Sequence, residues 1–550
     1  MRKNKLLLLG SSAGVFVLLA AAAIEENFLK DWRRIQSAGR NEEGAIPVQL
    51  PQVVNPGLGA VDRCVTCHVS MGPGEEGVTG GPLFRKHPPV PHDPAQYGCT
   101  VCHGGQGAAT GKEEAHGNVH FWPEPMIPVK MSEAGCGSCH VALGVPEYGE
   151  FQAARAAFER LDCRACHRVD GSGGTLRPDG GGMEGPDLSG VAVKGYDGAW
   201  HEKHVAEASK AEKGPWKSSF APVSAADREK LAAFLATRYG APRLIEAKAT
   251  FFRYGCLGCH RVSGVGGDEG PDLTRAGQKD PGQADFTHVP EGEGLSGWLA
   301  EHFRAPGAVV ANSKMPAVTA PERDIERLTM FVLSLRRREL PGAYLPKDQI
   351  EAARLGRREF AATGATVFGA FCAGCHGADG LGRTAGDEVF PSIANPEFQK
   401  LATDRFLTET VSKGRPGRRM PGWSKEGGLR AEEIRAVVAH LRAMAGVPAR
   451  TAEDSWKAAA PAAEGERLYA ASCSGCHGGR GQGGKGPALA NQAFLEVASD
   501  GYLRETVARG RPGSVMPAFG EPSTVHRTHT AGEIESIVSY IRSWQGRSKK

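Results

Sequence analysis

The N-terminal part of the chain combines a basic start with a long apolar run. Positive charges at positions 2, 3 and 5 precede 19 largely apolar residues, Leu6 to Ile24. A helix of that length extends about 28 Å, which spans the hydrocarbon core of a bilayer. The run is longer than the apolar region of a secretory signal and passes into a charged, helix-compatible segment, 25–40. We therefore predict an uncleaved membrane helix within residues 1–50; a signal cleaved after the alanines 21–23 is the alternative.

From residue 151 onward the pattern changes to amphipathic helices that recur in four frames. Each frame begins with a helix before a pair of cysteines, as in Phe151–Leu161 and Ile245–Tyr254. A loop follows, and a last helix closes the frame, with capping signals at Ser224 and Thr530. The closing helices are predicted at Asp227–Arg238, Glu322–Arg336, Ala431–Met444 and Gly532–Trp544. The frames predict four helical domains, 151–243, 244–345, 350–446 and 462–546.

Residues 51–150 show little helical periodicity. They carry three cysteine pairs within one hundred residues, together with many Pro, Gly and His. The whole chain of 550 residues is rich in Gly (74) and Pro (36) and has only 7% aromatic residues, which favours loops over large side-chain cores. We predict a compact N-terminal module here and, for the whole chain, a mainly α fold with much irregular loop.

All 14 cysteines lie in seven Cys-x-x-Cys-His pentapeptides. In this spacing both thiols can add to vinyl groups on one edge of a porphyrin, and the following His becomes a ligand of the iron. Zinc sites do not require a His after every pair, and a disulfide framework would not repeat one spacing in this way. The sequence therefore predicts seven covalently bound haem c groups, attached through Cys64, Cys67, Cys99, Cys102, Cys136, Cys139, Cys163, Cys166, Cys256, Cys259, Cys372, Cys375, Cys473 and Cys476, with His68, His103, His140, His167, His260, His376 and His477 as proximal ligands.

The haem motif also indicates the compartment, because haem is attached to it outside the cytoplasm. The positive N-terminal flank keeps that end inside, which puts the haem domains on the periplasmic (outer) side of the cytoplasmic membrane. The formal net charge of +4 is small for 550 residues and indicates no nucleic-acid partner.

Residues 151–545 resemble four class I cytochrome c domains in series. The likeness rests on a haem motif between two helices and on the loop Gly185-Pro186-Asp187-Leu188, with counterparts at 270–273 and 486–489. The resemblance implies that the Pro carbonyl of this loop accepts the Nδ1–H of the proximal His and so fixes the ring. Unit six departs from the pattern, with Phe390-Pro391 at that place.

The last two units look like a tandem duplication, since Phe406–Gly417 recurs as Tyr502–Gly513. Met-Pro pairs at Met315, Met420 and Met516 lie at the distal-ligand position of the cytochrome c family, 55, 44 and 39 residues after the proximal His of their units. A thioether opposite His raises the reduction potential of the iron. The resemblance thus implies these methionines as distal ligands of haems five, six and seven.

Unit four has no Met-Pro pair, and residues 214–220 lie in its place. Its distal position is open: His201, Lys217 and a histidine of the N-terminal module remain as candidates, and an open site is the alternative. His204 has a counterpart in unit five, His302, where a Met is already expected to bind, so we interpret His204 as structural.

Four histidines of the N-terminal module lie outside the motifs: His87, His92, His116 and His120. Three haems with two His ligands each need three of them, and the count permits the fourth to reach haem four. All four are candidate distal ligands, and their pairing with the haems is left open. The histidines at positions 288, 440, 526 and 529 are expected to be solvated.

The segment Tyr97–Thr110, with Ala115-His116-Gly117, resembles the multihaem cytochrome c subunits of bacterial bc-type and alternative quinol-oxidising complexes. The resemblance implies a relay from a cytochrome b-like, integral-membrane quinol-oxidising subunit to a periplasmic or membrane acceptor. One membrane helix cannot form a quinone pocket alone, and no side chain needs a catalytic role because the iron carries the redox change. Two alternatives stay open: a redox enzyme that acts on a small molecule at an open haem four, and a free periplasmic shuttle.

Overall fold

A computed structural model describes residues 2–88, 90–120, 122–174, 185–194, 198–208, 223–290, 294–385, 388–452 and 454–546. In these residues helices and irregular segments dominate, and the strands form two-stranded antiparallel hairpins. The prediction of a mainly α fold with much irregular loop is confirmed.

The N-terminal helix, α1 (Arg2–Ile24), runs into a π-helical turn (Glu25–Leu29), and α2 (Asp31–Ser37) follows. The leucines and alanines of α1 are strong helix formers, which explains its unbroken length. Helical residues Lys3–Ser37 include a window of mean hydropathy 2.3 that is not buried by the rest of the chain. By length and composition this helix can cross a membrane.

The N-terminal module is built from short elements held by polar contacts. They are β1 (Arg40–Asn41), β2 (Gly44–Ala45), β3 (Val53–Asn55), β4 (Ala60–Asp62), α3 (Pro94–Tyr97), α4 (Thr100–His103), α5 (Lys112–Ala115) and a 3-10 stretch, Val129–Ser138. The buried carboxylate of Asp62 accepts hydrogen bonds from the backbone N–H of Thr100 at 2.9 Å and from its hydroxyl at 2.7 Å. This contact ties the β3–β4 hairpin to the second haem motif.

The rest of the described chain is helical with three small hairpins. The hairpins are β5 (Arg168–Val169) with β6 (Ser172–Gly173), β7 (Arg261–Val262) with β8 (Val265–Gly266), and β9 (Arg383–Ala385) with β10 (Glu388–Phe390). The helices are α6 (Tyr148–Arg160), α7 (Gly198–Ala208), α8 (Ala225–Ala236), α9 (Pro242–Arg253), α10 (Gly294–Arg304), α11 (Pro306–Val309), α12 (Glu322–Ser334), α13 (Lys347–Leu355), α14 (Gly364–Val367), α15 (Ala373–His376), α16 (Pro396–Leu401), α17 (Asp404–Lys413), α18 (Ala431–Ala445), α19 (Ala462–Ser472), α20 (Ser474–His477), α21 (Gln492–Val497), α22 (Asp500–Arg509) and α23 (Ala531–Arg542).

Each of the four units packs its first helix against its last: α6 on α8, α9 on α12, α14 on α18 and α19 on α23. The apolar stripes of these helices face each other and shield the segment with the haem motif between them. Thr530 and Glu533 form the capping box that the sequence predicts, and Ser224 caps α8 by accepting from the N–H of Asp227. In unit six a π-helical turn, Phe368–Cys372, extends the single turn of α14.

The apolar cores do not follow the predicted domains one to one. The largest core joins the end of the N-terminal module to units five and six, through fully buried side chains such as Ala134, Leu328 and Phe371. Unit four has a smaller core around Phe158 and Phe234. A further core joins units six and seven. The third haem motif therefore shares a hydrophobic core with units that follow much later in the chain.

Units six and seven contact each other through equivalent residues. The side-chain amide of Asn395, which caps α16, donates to the Pro512 carbonyl at 2.7 Å. Its counterpart Asn491, which caps α21, donates to the Pro416 carbonyl at 2.9 Å. Because each unit gives and receives the same bond, the two units are related by a local two-fold axis, as two copies are in an isologous dimer.

Candidate haem-binding sites

Each haem motif is a single tight turn of helix. The backbone N–H of His68 donates to the carbonyl of Cys64 at 2.9 Å, and His103, His140, His167, His260 and His477 repeat this bond at 2.8–3.0 Å. Residues three and four apart lie on one face of a helical turn. The turn therefore presents two thiols and one imidazole on the same side, which is the arrangement that covalent haem attachment needs.

The proximal histidines of the four tandem units are oriented by proline carbonyls. Nδ1 of His167, His260, His376 and His477 lies 2.8–2.9 Å from the carbonyl oxygens of Pro186, Pro271, Pro391 and Pro487, respectively. A carbonyl can only accept, so Nδ1 donates and the Nε2 lone pair is available to a metal. Unit six makes the contact although its loop lacks the glycine. Burial lowers the pKa of His260, His376 and His477, which favours the neutral imidazole that binds iron.

The glycine before the proline packs directly on the proximal ring. A Cβ atom added at Gly185, Gly270 or Gly486 would lie 2.4, 2.5 or 2.8 Å from the Cε1 atom of the proximal His in its unit. A Cβ atom that close would force the ring or the loop to move, so glycine lets the loop cross the ring closely in units four, five and seven. The Gly-Pro pair therefore holds the imidazole ring at a fixed angle.

His140 is held differently. Its Nδ1 lies 2.8 Å from the carboxylate Oδ1 of Asp348, a residue of α13 that is 208 positions away in the sequence. The sequence offers no signal for this pair, because α13 lies at the predicted boundary between units five and six and contains no recognisable motif. The contact places α13 against the third haem motif.

Two histidine pairs of the N-terminal module have the spacing of axial ligands. The ring centres of His87 and His103 are 6.2 Å apart, and those of His92 and His140 are 5.8 Å apart. Bonds from a metal to an imidazole nitrogen are about 2 Å long, so two rings on opposite sides of one metal have centres about 6 Å apart. His87 Nδ1 donates to the Pro88 carbonyl at 2.7 Å, which leaves its Nε2 lone pair for a metal. In each pair, the spacing fits one haem iron between the two imidazole rings.

His116 lies in the neighbourhood of the first haem motif. Burial lowers the pKa of His68, and the charge of nearby His116 lowers it further. His116 thus lies near the proximal His of the first motif. His120 is exposed. Of the four candidate distal histidines, the structure therefore brings His87, His92 and His116 to proximal histidines.

The Met-Pro loops of units six and seven are closed by the same backbone hydrogen bond. The backbone N–H of Arg415 donates to the Met420 carbonyl at 2.8 Å, and Arg511 repeats this bond to Met516 at 2.9 Å. Both methionines are half-buried. Met315 of unit five is also half-buried and packs against the largest core.

The distal segment of unit four, including Lys217, lies outside the described residues. Within the described part of the unit, the rings of Trp200 and His204 stack at 5.0 Å. The equivalent rings in unit five, Trp298 and His302, also stack at 5.0 Å. This equivalence supports the interpretation of His204 as structural. His201 is buried, with 2% of its surface exposed.

Neighbouring motifs touch through their cysteines. The side chains of Cys64 and Cys99 lie close to each other, and so do those of Cys259 and Cys375. A Cβ atom at Gly255, just before the fifth motif, would lie 2.4 Å from the backbone nitrogen of Gly374. Motifs one and two, and motifs five and six, are therefore in direct contact.

Buried donors in units five and seven also fit haem. Trp298 Nε1 and Arg511 Nη1 are buried and have no hydrogen-bond partner among the described residues. Buried donors are rarely left without a partner, and haem propionates are strong anionic acceptors. The donors, the axial spacings and the cysteine turns together fit the cofactor that the sequence predicts.

One expectation about the remaining histidines is wrong. His288 is exposed, but His529 is 3% exposed and its Nε2 lies 2.9 Å from the Ser472 hydroxyl. Ser472 directly precedes Cys473, so His529 helps to hold the seventh motif. His440 and His526 are half-buried against Phe368 and Phe519. The polarity of His529 did not reveal its contact, because that contact depends on the packing of α19 against α23.

The fold and these sites define a multihaem c-type cytochrome. The chain matches the family Cytochrome c at residues 151–238 and 245–336, and the family Cytochrome C oxidase, cbb3-type, subunit III, at residues 359–441 and 460–541. The four matched segments coincide with the four helical units, so the chain contains a tandem series of cytochrome c domains.

Curated relatives include the cbb3-type cytochrome c oxidase subunit FixP of Bradyrhizobium diazoefficiens, which is 33% identical over 30% of this chain and 57% of the relative. Cytochrome c55X of Stutzerimonas stutzeri is 44% identical over 11% of this chain and 58% of the relative. The chain thus spans under two thirds of the length of these relatives. A solved structure, the Kuenenia stuttgartiensis reducing HAO-like protein complex Kustc0457/Kustc0458, aligns over 33% of this chain and 95% of that chain with 19% identity and a TM-score of 0.20, which supports no conclusion about fold or function.

Proposed function

We propose that the chain binds seven haem c groups and relays electrons from an integral-membrane quinol-oxidising subunit to a periplasmic or membrane acceptor. The observation that carries this proposal is the set of seven complete motifs, three of which have a second histidine near the proximal one. When bound, haem c supplies an iron that changes between the ferrous and ferric states.

The chain's own residues hold, orient and insulate the iron sites. The cysteine turns fix the position of each porphyrin edge, and the proline carbonyls fix the proximal rings in the tandem units. We propose His116, His87 and His92 as distal ligands of haems one, two and three, and Met315, Met420 and Met516 as those of haems five, six and seven. Since thioether ligation raises the potential, this assignment makes the tandem units the stronger oxidants.

Contacts between motifs support a relay. Motif one touches motif two through Cys64 and Cys99, and motif five touches motif six through Cys259 and Cys375. The third motif meets unit five, where a Cβ atom at Gly137 would lie 2.2 Å from the Ser334 carbonyl oxygen. These contacts run from the N-terminal module into units five and six.

The N-terminal helix supports a place at the membrane. It is long and apolar enough to cross a bilayer, and we propose that it anchors the chain with its haem domains on the periplasmic side. A single helix cannot enclose a quinol, so a cytochrome b-like or similar integral subunit is the proposed donor. The relatives named as cbb3-type oxidase subunits support a respiratory membrane complex.

Purification of the native complex tests this function. The chain should stay with salt-washed membranes, copurify with an integral-membrane subunit, and give seven haems per chain in a pyridine haemochrome assay combined with intact mass. A mature protein that begins after position 23 and is isolated alone from the periplasm would support the free shuttle instead. Five or fewer haems in fully matured protein would contradict the heptahaem proposal.

A further inference from the structure

The hydrogen bond between His140 and Asp348 sets the third haem site apart. Among the described residues, the proximal histidines of the tandem units donate Nδ1–H to neutral proline carbonyls. His140 donates instead to a carboxylate oxygen, at 2.8 Å. A carboxylate carries a full negative charge, whereas a carbonyl carries only a dipole, so the two acceptors affect the iron differently.

Asp348 is largely buried, and among the described residues its direct ionic partner is His140. The side chains of His140 and Asp348 are 17% and 11% exposed. Asp348 Oδ2 is buried and has no hydrogen-bond partner among the described residues. The buried amine of Lys248 is paired with Glu359 at 3.0 Å, and no described Lys or Arg lies within ion-pair distance of Asp348. The carboxylate is therefore largely shielded from water and acts most directly on His140.

We propose that Asp348 is a positioning residue that acts through His140 to lower the reduction potential of the third haem site. The inference rests on the proposed function, in which His140 is the proximal ligand of haem three. Ferric haem carries one more positive charge than ferrous haem, so a buried anion hydrogen-bonded to the ligand stabilises the ferric state. The same bond shifts proton density from Nδ1 to the carboxylate and makes the imidazole a stronger donor to the metal.

The effect of Asp348 on haem three matters for the proposed relay because of where motif three lies. Motif three contacts motif two, where a Cβ atom at Gly135 would lie 1.8 Å from the Cys102 carbonyl oxygen, and it shares the largest core with units five and six. A lowered potential at this site increases the driving force for the step from haem three to the methionine-ligated units and decreases it by the same amount for the step from haem two to haem three. Helix α13 thus supplies, from the boundary between units five and six, a charge that the N-terminal module itself does not contain.

The test is a redox titration of the full-length holoprotein and two variants. Asp348→Asn keeps an acceptor oxygen for Nδ1–H but removes the charge. Glu351→Gln removes the same charge from α13 at a half-exposed side chain whose partner is Arg357, and serves as the matched control. Haem content is measured first, so that each titration is compared at equal loading.

Asp348→Asn should raise one low-potential component, so that its ferrous-to-ferric ratio at a fixed potential increases at least about tenfold, or about 59 mV for a one-electron couple. Glu351→Gln should leave every component unchanged. Unchanged midpoints in Asp348→Asn at full haem content overturn the inference, and so does an equal shift in Glu351→Gln.

If Asp348→Asn loses haem, Asp348→Ser is titrated as a second variant. It keeps a smaller polar group at the site and should shift the same component to a higher potential. Loss of one haem in both variants would overturn tuning in favour of a purely structural contact. Fewer than seven haems in the wild-type chain would contradict the proposed function but not this inference, which is judged by the shift of one component between wild type and variant.

Discussion

The N-terminal module fits three haem motifs into about one hundred residues, 51–150, whereas each tandem unit uses a similar length for one. In the module the rings that face the proximal histidines come from loops, and the motifs contact one another directly. In each tandem unit two helices pack together, and a proline carbonyl orients the proximal ring. The difference shows two ways to stabilise the same motif: by neighbouring motifs, or by a helical frame around each one.

This structural difference predicts an electrochemical one. The module offers His–His spacings at motifs two and three, while units five to seven place a half-buried methionine in a loop after the motif. Imidazole stabilises ferric iron more than a thioether does. The module should therefore hold the low-potential haems and units five to seven the high-potential ones, so that electrons flow downhill from the first region to the second.

The largest expected effect comes from exchanging a methionine for histidine. Met516→His should lower one high-potential component by roughly 100–200 mV, since axial-ligand identity spans about 0.8 V across haem proteins. An optical redox titration measures the shift. Met330→Leu, at a methionine buried in the core of unit five, is the control and should change no midpoint. If Met516→His shifts nothing, Met516 is not a ligand.

The reverse exchange should have a similar or somewhat smaller effect. His87→Met should raise one low-potential component by about 100 mV, because a thioether replaces the imidazole that lies 6.2 Å from the His103 ring. His288→Ala, at an exposed histidine of unit five, should leave the titration unchanged. An unchanged titration in His87→Met at full haem content would show that His87 is not a ligand.

A glycine in the helical frame should matter for stability more than for potential. Gly270→Ala would bring a Cβ atom to 2.5 Å from His260 Cε1, so the ring or the loop must move, at a cost of about 1–3 kcal/mol. Thermal unfolding should show a Tm lower by several degrees. Gly307→Ala, where a Cβ atom meets nothing within 4 Å, should be neutral or slightly stabilising. Equal effects of the two variants would contradict the packing argument.

The smallest predicted effect concerns the contact between units six and seven. Asn395→Ala removes one hydrogen bond and one helix cap and should destabilise by about 1–2 kcal/mol. Asn491→Ala should cost a similar amount, because it removes the equivalent bond on the other side of the local two-fold axis. Chemical denaturation of the two variants measures both. A large difference between them would show that the two contacts are not equivalent.

Features that depend on local sequence were predictable. The cysteine turns, the helices that flank them and the capping box at Thr530 each depend on residues within a few positions of one another. The proline carbonyl contact was implied by the resemblance to cytochrome c domains, and it is present even in unit six, where Phe390 replaces glycine.

Features that depend on distant segments were not predictable. His87 faces the ring of His103 rather than that of the nearest preceding motif, because the chain between them folds back. Asp348 reaches His140 across 208 residues, and the largest core includes residues of four predicted domains. Neither the hydrophobic periodicity of the sequence nor the spacing of its motifs indicates such contacts, since they arise when whole helices pack together.

A redox titration of the full-length protein, with the ligand set of each component read from electron paramagnetic resonance spectra, tests the central claim most directly. We predict that the three highest-potential components carry a His–Met signature and that the low-potential group carries a bis-His signature. Bis-His spectra among the highest-potential components, with His–Met spectra in the low-potential group, would contradict the assignment of the two regions and the direction of electron flow.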